Sequence, residues 1–208
     1  MTRLYATIAA AALAAVMGVT ASKIWLGGNG DDRFSACRQG QVAGGTIGGP
    51  FTLIDQTGAT VTDKDVLKEP SLVYFGYGFC PDVCPLDNAR NAQVVDILEE
   101  QGLSATPVFI TIDPARDTPA VMADYAAAIH PKMIGLTGSP EQVKEASVAY
   151  KTYYRQKPAE DEFYLMDHST FTYLMLPDEG FVEFFDRDAT ADVMAAQVAC
   201  FIGASPSA

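Results

Sequence analysis

Apolar and polar residues follow one another along the chain in short blocks that predict strands separated by helices. Two apolar runs rich in strand-forming residues, at 71–77 and 107–112, predict buried strands. Between them, apolar residues at helical spacing over 86–101 predict an amphipathic helix. This alternation predicts an α/β sandwich with a central mixed sheet.

Turn and capping residues predict the remaining elements. Glycine and acidic residues mark the turns of two hairpins, one at 51–62 and one at 171–185. Further helices are predicted at 118–129, 139–150 and 192–202, and a short strand at 133–136. The folded domain is predicted to span residues 50–204, after a glycine-rich linker at 27–49.

The first stretch of the chain differs from the rest. Residues 4–22 carry no charge, and about twenty apolar residues are enough to span a bilayer as a helix. Because Trp25 suits the membrane interface, we predict a transmembrane anchor at residues 1–26. A cleaved signal peptide is the alternative, since residues 19–21 resemble a cleavage site. Either interpretation carries the remainder out of the cytoplasm.

Composition narrows the classes of function. The chain has 208 residues, of which 49% are hydrophobic, so it can bury a core of its own. Its formal net charge is −12, whereas binding to nucleic acid phosphates needs a basic face. The charge therefore argues against a nucleic-acid partner and identifies no other.

Two of the four cysteines carry the candidate chemistry. Cys80 and Cys84 lie in the run FCPDVCP, directly after the first buried strand. A helix has to begin there, because Pro85 is tolerated only in a first turn and Asp82 is a suitable N-cap. The positive end of a helix stabilises thiolates, which serve both as nucleophiles and as metal ligands.

The spacing of these cysteines leaves room for a third ligand. Three residues separate them, one more than in the C-x-x-C redox motif, which loosens the geometry for a disulfide. His168 is predicted to lie in the loop before the strand at 171–176 and to face the cysteines, whereas His130 is expected to complement a helix C-terminus. A structural zinc site takes four protein ligands, whereas two thiolates and one imidazole suit copper. The three candidate ligands therefore favour copper over zinc.

Several acidic residues lie beside these candidates. Asp82 has two roles open to it, as the helix N-cap or as an oxygen ligand for Cu(II). Asp167 is expected to orient His168 through a hydrogen bond. Asp113 and Asp117 follow the second buried strand, and we expect them to have structural roles, with Asp117 capping the next helix.

Three runs of residues together point to a known family. They are FCPDVCP at 79–85, TIDPARDTP at 111–119 and DHSTFTYLM at 167–175. On these motifs the chain resembles the Sco/SenC family of copper proteins, which serve cytochrome c oxidase assembly. The resemblance implies a thioredoxin-like domain behind one transmembrane helix, with copper bound by Cys80, Cys84 and His168.

Two functions follow from this resemblance and from the dithiol. The first is a copper metallochaperone that receives copper from a donor chaperone. It delivers the ion to the CuA site of cytochrome c oxidase subunit II, or prepares that site. The second is a membrane-tethered thiol–disulfide oxidoreductase in which Cys80 and Cys84 reduce cysteines of a partner. For either function, the expected location is the inner membrane with the domain facing the periplasm.

Cys37 and Cys200 lie outside the motifs that carry the resemblance. Spare cysteines outside the cytoplasm often pair, so we predict a disulfide between them that ties the lead-in segment to the last helix. The alternative is a buried free thiol at Cys200, on the apolar face of that helix.

Overall fold

The structure is a computed structural model that describes residues 33–38, 46–159 and 163–206. The chain divides into two compact units, Met1–Ala36 and Cys37–Ala208, and every described strand and helix belongs to the second. The anchor predicted at residues 1–26 lies outside the described residues. Within the ranges described, no helix has the length and apolar character needed to cross a membrane.

The second unit contains one large mixed sheet with helices around it. The elements are β1 (Thr52–Asp55), β2 (Thr60–Thr62), α1 (Asp63–Val66), β3 (Ser71–Gly76), α2 (Val83–Glu100), β4 (Thr106–Thr111), α3 (Pro119–Ile129), β5 (Ile134–Thr137), α4 (Pro140–Ala149), β6 (Tyr154–Gln156), β7 (Met166–His168), β8 (Thr172–Leu176), β9 (Gly180–Phe185) and α5 (Ala191–Ala204). The strands of the large sheet run in the order β2-β1-β5-β4-β3-β8-β9, and β6 pairs only with β7 in a small separate sheet. Strands β3, β4 and β5 are parallel, whereas β1, β8 and β9 join antiparallel, which confirms the predicted central mixed sheet.

The core lies on the two central strands. All residues of β3 and all residues of β4 are buried, as expected for parallel strands that are covered on both faces. Helix α2 connects these strands and packs against α5. Aromatic side chains fill the interior, among them Phe75 and Tyr150, whose ring centroids are 5.2 Å apart. The unbroken apolar runs in the sequence therefore correspond to the most buried strands.

Helix α3 begins at Pro119, and its N-cap is Thr118, one residue after the predicted cap Asp117. The Thr118 hydroxyl accepts a hydrogen bond from the Val121 N–H, and Pro119 occupies the first turn. Asp117 does not cap this helix, so that prediction is wrong. Its carboxylate is fully buried and instead accepts hydrogen bonds from the Gly78 N–H and from the Thr111 hydroxyl.

The small sheet formed by β6 and β7 has no counterpart among the predicted elements. Each of its strands has three residues, with the sequences Tyr-Arg-Gln and Met-Asp-His. Such short polar segments show no alternation that a pattern analysis can detect. As a result, His168 lies in a strand, paired with Tyr154, where the sequence predicts a loop.

Cys37 and Cys200 are joined by a disulfide in the structure, with their Cα atoms 5.6 Å apart. The bond links residues that are 163 positions apart in the chain. Next to it, the Gln197 side-chain amide donates a hydrogen bond to the Cys37 carbonyl at 3.2 Å. The disulfide therefore attaches Cys37 to helix α5.

Loss of this disulfide is expected to destabilise the domain. Replacing Cys37 and Cys200 together by serine should lower the free energy of unfolding by up to about 5 kcal/mol, because the long closed loop restricts the unfolded chain. Urea denaturation measures the change, with the Cys80→Ser, Cys84→Ser double variant as the control. Mass spectrometry of the unreduced wild type that finds alkylatable thiols at Cys37 and Cys200 would contradict the pairing.

Candidate metal centre

Three segments of the chain meet at one edge of the large sheet. Because β3 and β4 are parallel, the loops after Gly76 and after Thr111 leave from the same edge. Strand β8 is antiparallel to β3, and its first residue, Thr172, pairs with Tyr74 near this edge. The segment before β8, which contains His168, therefore arrives beside the loop that contains the cysteines.

The cysteines lie at the N-terminus of helix α2. Cys84 is in the first turn and Cys80 lies before the helix, as predicted. The Cys84 N–H donates a hydrogen bond to the Cys80 sulfur at 3.3 Å, so this sulfur faces the positive end of the helix. Asp82 occupies the N-cap position, but its exposed side chain makes no capping hydrogen bond.

The His168 ring is held from several sides. Its Nε2 lies 3.4 Å from the Cys84 sulfur, and its Nδ1 lies 2.7 Å from the Ser169 carbonyl oxygen. A carbonyl can only accept a hydrogen bond, so Nδ1 carries the proton and Nε2 of the neutral ring presents a lone pair. Tyr74 and Tyr77 meet the ring edge-on, with centroid distances of 6.2 and 5.9 Å. The free lone pair of His168 thus points at the sulfurs.

Cys80, Cys84 and His168 form a group with the composition of a metal site. One ligand atom from each residue lies within 4.8 Å of the others, and no other group of three or more such residues occurs in the described part of the chain. His130 lies elsewhere, at the C-terminus of α3, where its Nε2 is 3.3 Å from Asp96. Of the two histidines, the structure therefore brings only His168 to the cysteines.

Neither Asp82 nor Asp167 joins this group of candidate metal ligands. The predicted hydrogen bond between Asp167 and His168 is wrong, because the Asp167 carboxylate pairs with Arg155 at 3.2 Å and Lys157 at 3.0 Å. Successive side chains of a strand point to opposite faces, which explains why these neighbours in β7 diverge. The Ser169 carbonyl takes the orienting role expected of the carboxylate.

The two thiols differ in their protonation. A hydrogen bond from the Cys84 thiol, followed by hydrogen bonds from the backbone N–H groups of Asp82 and Cys84, holds the pKa of Cys80 well below its usual range. The same hydrogen bond, together with burial, raises the pKa of Cys84. Cys80 is therefore a thiolate at neutral pH and Cys84 is a thiol, so metal binding has to displace the Cys84 proton.

Gly76 shapes the site, although the hydrophobic pattern of the sequence does not single it out. A Cβ on Gly76 would lie 2.9 Å from the Cys84 sulfur, 2.9 Å from Tyr74 and 3.0 Å from Phe109. Only glycine, which has no side chain, lets the end of β3 pass so close to the Cys84 sulfur. The available signal was a glycine within an otherwise apolar strand, which often marks close approach of the backbone to another group.

The donor set fits copper. Thiolate sulfurs are soft ligands that select Cu(I), imidazole nitrogen is also a common copper ligand, and three such donors suit a three-coordinate Cu(I) site. A structural zinc site takes four protein ligands, one more than this group supplies.

A side chain at position 76 is expected to disturb the cysteine pair. Gly76→Ala should lower the free energy of unfolding by about 1–3 kcal/mol, because the methyl group displaces the Cys84 sulfur in a packed interior. Urea denaturation measures this change. The control is Gly203→Ala in helix α5, where a Cβ meets no atom within 4 Å and should stabilise the helix. Equal stability of the wild type and Gly76→Ala would contradict the close approach.

The unequal protonation of the thiols predicts a distinctive reactivity. Since Cys80 is already ionised, its alkylation by iodoacetamide should change little between about pH 5 and about pH 8. In Cys84→Ala the largest stabilising hydrogen bond is lost and the pKa of Cys80 rises, so alkylation should slow markedly toward the acidic end of that range. Peptide mass spectrometry identifies the modified residue. Preferential alkylation of Cys84 in the wild type would refute the assignment.

Comparison with known proteins places this geometry in context. The family model described as SCO1/SenC matches residues 39–203. Protein SenC of Rhodobacter capsulatus is 54% identical over 200 residues, which cover 96% of this chain and 90% of SenC. The mitochondrial protein SCO1 homolog 1 of Arabidopsis thaliana is 43% identical over 76% of this chain, and this chain spans about half of its length, 48%.

A solved structure shows the same fold. The crystal structure of Arabidopsis thaliana ScoI with copper bound is similar with a TM-score of 0.72 and 41% sequence identity, covering 76% of this chain and 99% of that chain. The family match extends over most of the chain and includes the cysteine motif, the loop after β4 and the histidine motif. The chain therefore belongs to the SCO1/SenC family.

Proposed function

We propose that this protein binds one copper ion through Cys80, Cys84 and His168 and passes it to the CuA site of cytochrome c oxidase subunit II. The observation that carries the proposal is the convergence of the three ligand atoms within 4.8 Å of one another. The soft donor set and the copper-bound relative from Arabidopsis support the choice of metal. The family's role in cytochrome c oxidase assembly supports the choice of recipient.

The arrangement suits transfer as well as binding. Three protein ligands leave the coordination shell open, so a ligand of the recipient can enter before the original ligands depart. The Cys80 thiolate is ready to bind, whereas Cys84 binds once its proton has left. Before transfer, the same site has to accept copper from a donor chaperone through the reverse exchange.

We further propose that the domain faces the periplasm from an anchor in the inner membrane. The uncharged run at residues 4–22 supports an anchor, and the disulfide between Cys37 and Cys200 supports an oxidising compartment. The net charge of −12 is consistent with a protein partner and argues against nucleic acid.

Thiol–disulfide exchange is the second candidate function, and the unequal thiols favour it. The Cys80 thiolate would attack a partner disulfide and form a mixed disulfide with one sulfur, releasing the other as a thiolate that takes the proton of Cys84. The Cys84 thiolate would then attack the Cys80 sulfur and release the second partner sulfur as a thiolate, which takes a proton from water. Two electrons then pass to the partner, and Cys80 and Cys84 end as a disulfide. Reduction of the CuA cysteines before metallation would use this chemistry.

Substitution of the histidine separates the two functions. His168→Ala should lose its affinity for copper and its transfer of copper to an isolated CuA domain, because one of three ligands is gone, while dithiol exchange persists. Metal analysis and the thiolate-to-Cu(II) absorption band measure binding in the full-length chain. His130→Ala is the matched control and should behave like the wild type. Full copper retention by His168→Ala would contradict the proposed ligand set.

A further inference from the structure

The loop after β4, residues 113–117, supplies no ligand but contacts both segments that do. It is folded on itself, because the Asp113 carbonyl accepts hydrogen bonds from the N–H groups of Arg116 and Asp117 at 3.2 and 3.0 Å. On one side, the buried Asp117 carboxylate accepts a hydrogen bond from the Gly78 N–H at 2.9 Å, two residues before Cys80. The loop thereby supports the backbone of the cysteine segment.

On its other side, the loop holds the segment that leads to His168. The Asp113 carboxylate accepts hydrogen bonds through both oxygens, from the Arg116 Nε at 2.5 Å and from the Tyr164 hydroxyl at 2.7 Å. Asp113 is only 4% exposed, and its N–H donates to the Thr111 hydroxyl at 2.9 Å. A buried carboxylate fixed in this way gives Tyr164 a defined position, four residues before the histidine.

The Arg116 side chain completes the connection between the two segments. Its guanidinium carbon lies 3.6 Å from the centroid of the Tyr164 ring, and 5.1 and 5.8 Å from the centroids of Phe79 and Tyr77. Tyr164 belongs to the histidine segment, whereas Phe79 and Tyr77 precede Cys80. Arginine forms favourable contacts with aromatic faces at such distances, and they strengthen as water is excluded. One cation therefore bridges the two ligand-bearing segments.

We propose that Arg116 is a positioning residue that holds His168 against the cysteines and slows the loss of copper. Asp113, Arg116 and Tyr164 form the unit responsible, which we call the arginine clamp. The proposal rests on the copper site proposed above, but the clamp itself exists without metal. If it is released, the histidine segment keeps its pairing with β6 and the edge-on contact of His168 with Tyr77, but loses its attachment through Tyr164.

Two substitutions dismantle the clamp from opposite ends. Arg116→Gln removes the bridging cation, and Tyr164→Leu removes the ring and the hydroxyl together. Each should speed the loss of Cu(I) to an excess of a Cu(I) chelator by about tenfold. That factor corresponds to about 1.4 kcal/mol, within the range for a partly desolvated cation–aromatic contact. Tyr164→Phe keeps the ring and should have a smaller effect.

Hydrogen exchange tests the clamp without copper. In the metal-free full-length chain, hydrogen exchange at the backbone amides of Met166 and Ser169 should accelerate in the clamp variants, while the core amide of Val73 stays protected. Arg90→Gln is the control, because Arg90 donates hydrogen bonds to the backbone of Asp186 and Ala189 and to the Thr172 hydroxyl, none of which belongs to the clamp. Arg90→Gln should lower the melting temperature without changing the rate of copper loss or the rate of hydrogen exchange at Met166 and Ser169.

A double variant tests whether the clamp residues act as a unit. Arg116→Gln combined with Tyr164→Leu should lose copper no faster than either single variant, whereas independent residues would multiply their effects. The proposal would be overturned if the two substitutions multiplied their effects on the rate of copper loss. It would also be overturned if hydrogen exchange at Met166 and Ser169 did not change in the clamp variants, or if Arg90→Gln changed these rates as much as they do. If Arg116→Gln does not fold, Tyr164→Leu delivers the same comparison. If the wild type binds no copper, the proposed function fails, and the exchange rates of the metal-free protein still decide the clamp.

Discussion

Parallel pairing of β3 with β4, with β8 antiparallel on the other side of β3, is the constraint on which the site depends. It sends the loop with Cys80 and the loop with Asp113 out of the same edge of the sheet, and it brings the segment with His168 back to that edge. These strands are buried along their whole length, so the hydrophobic core fixes their register. Packing in the hydrophobic core, away from the metal site itself, therefore sets the positions of the three candidate ligands.

The sequence predicts the parts of this arrangement that repeat a pattern. Long apolar runs and helical periodicity place the central strands and α2, and Pro85 fixes the start of that helix near Cys84. The convergence of His168 on the cysteines follows from the family resemblance and from the predicted topology. Short polar strands such as β7 carry no periodic signal, so the pairing of His168 with Tyr154 could not be predicted.

The errors at individual residues share a physical cause. Asp117 directly precedes the helix predicted at 118–129, which suggests a role as its cap. Asp167 directly precedes His168, which suggests a role in orienting the histidine ring. In the structure, each carboxylate binds partners that are distant in sequence, Gly78 for Asp117 and Arg155 for Asp167. Local rules for capping and orientation cannot weigh such competing contacts, because the contacts exist only after the chain has folded.

The site divides its ligands between rigid and loosely attached parts of the fold. Cys80 lies in the short loop between β3 and α2, and Cys84 lies in the first turn of α2, two elements that are continuous with the core. His168 belongs to a two-stranded sheet that pairs with no strand of the large sheet in the described residues. A hairpin of this size has little stability of its own, so side-chain contacts such as that of Arg116 with Tyr164 hold it in place. Under the proposed function this asymmetry assists transfer, because one ligand can leave at low cost while the two sulfurs keep their geometry.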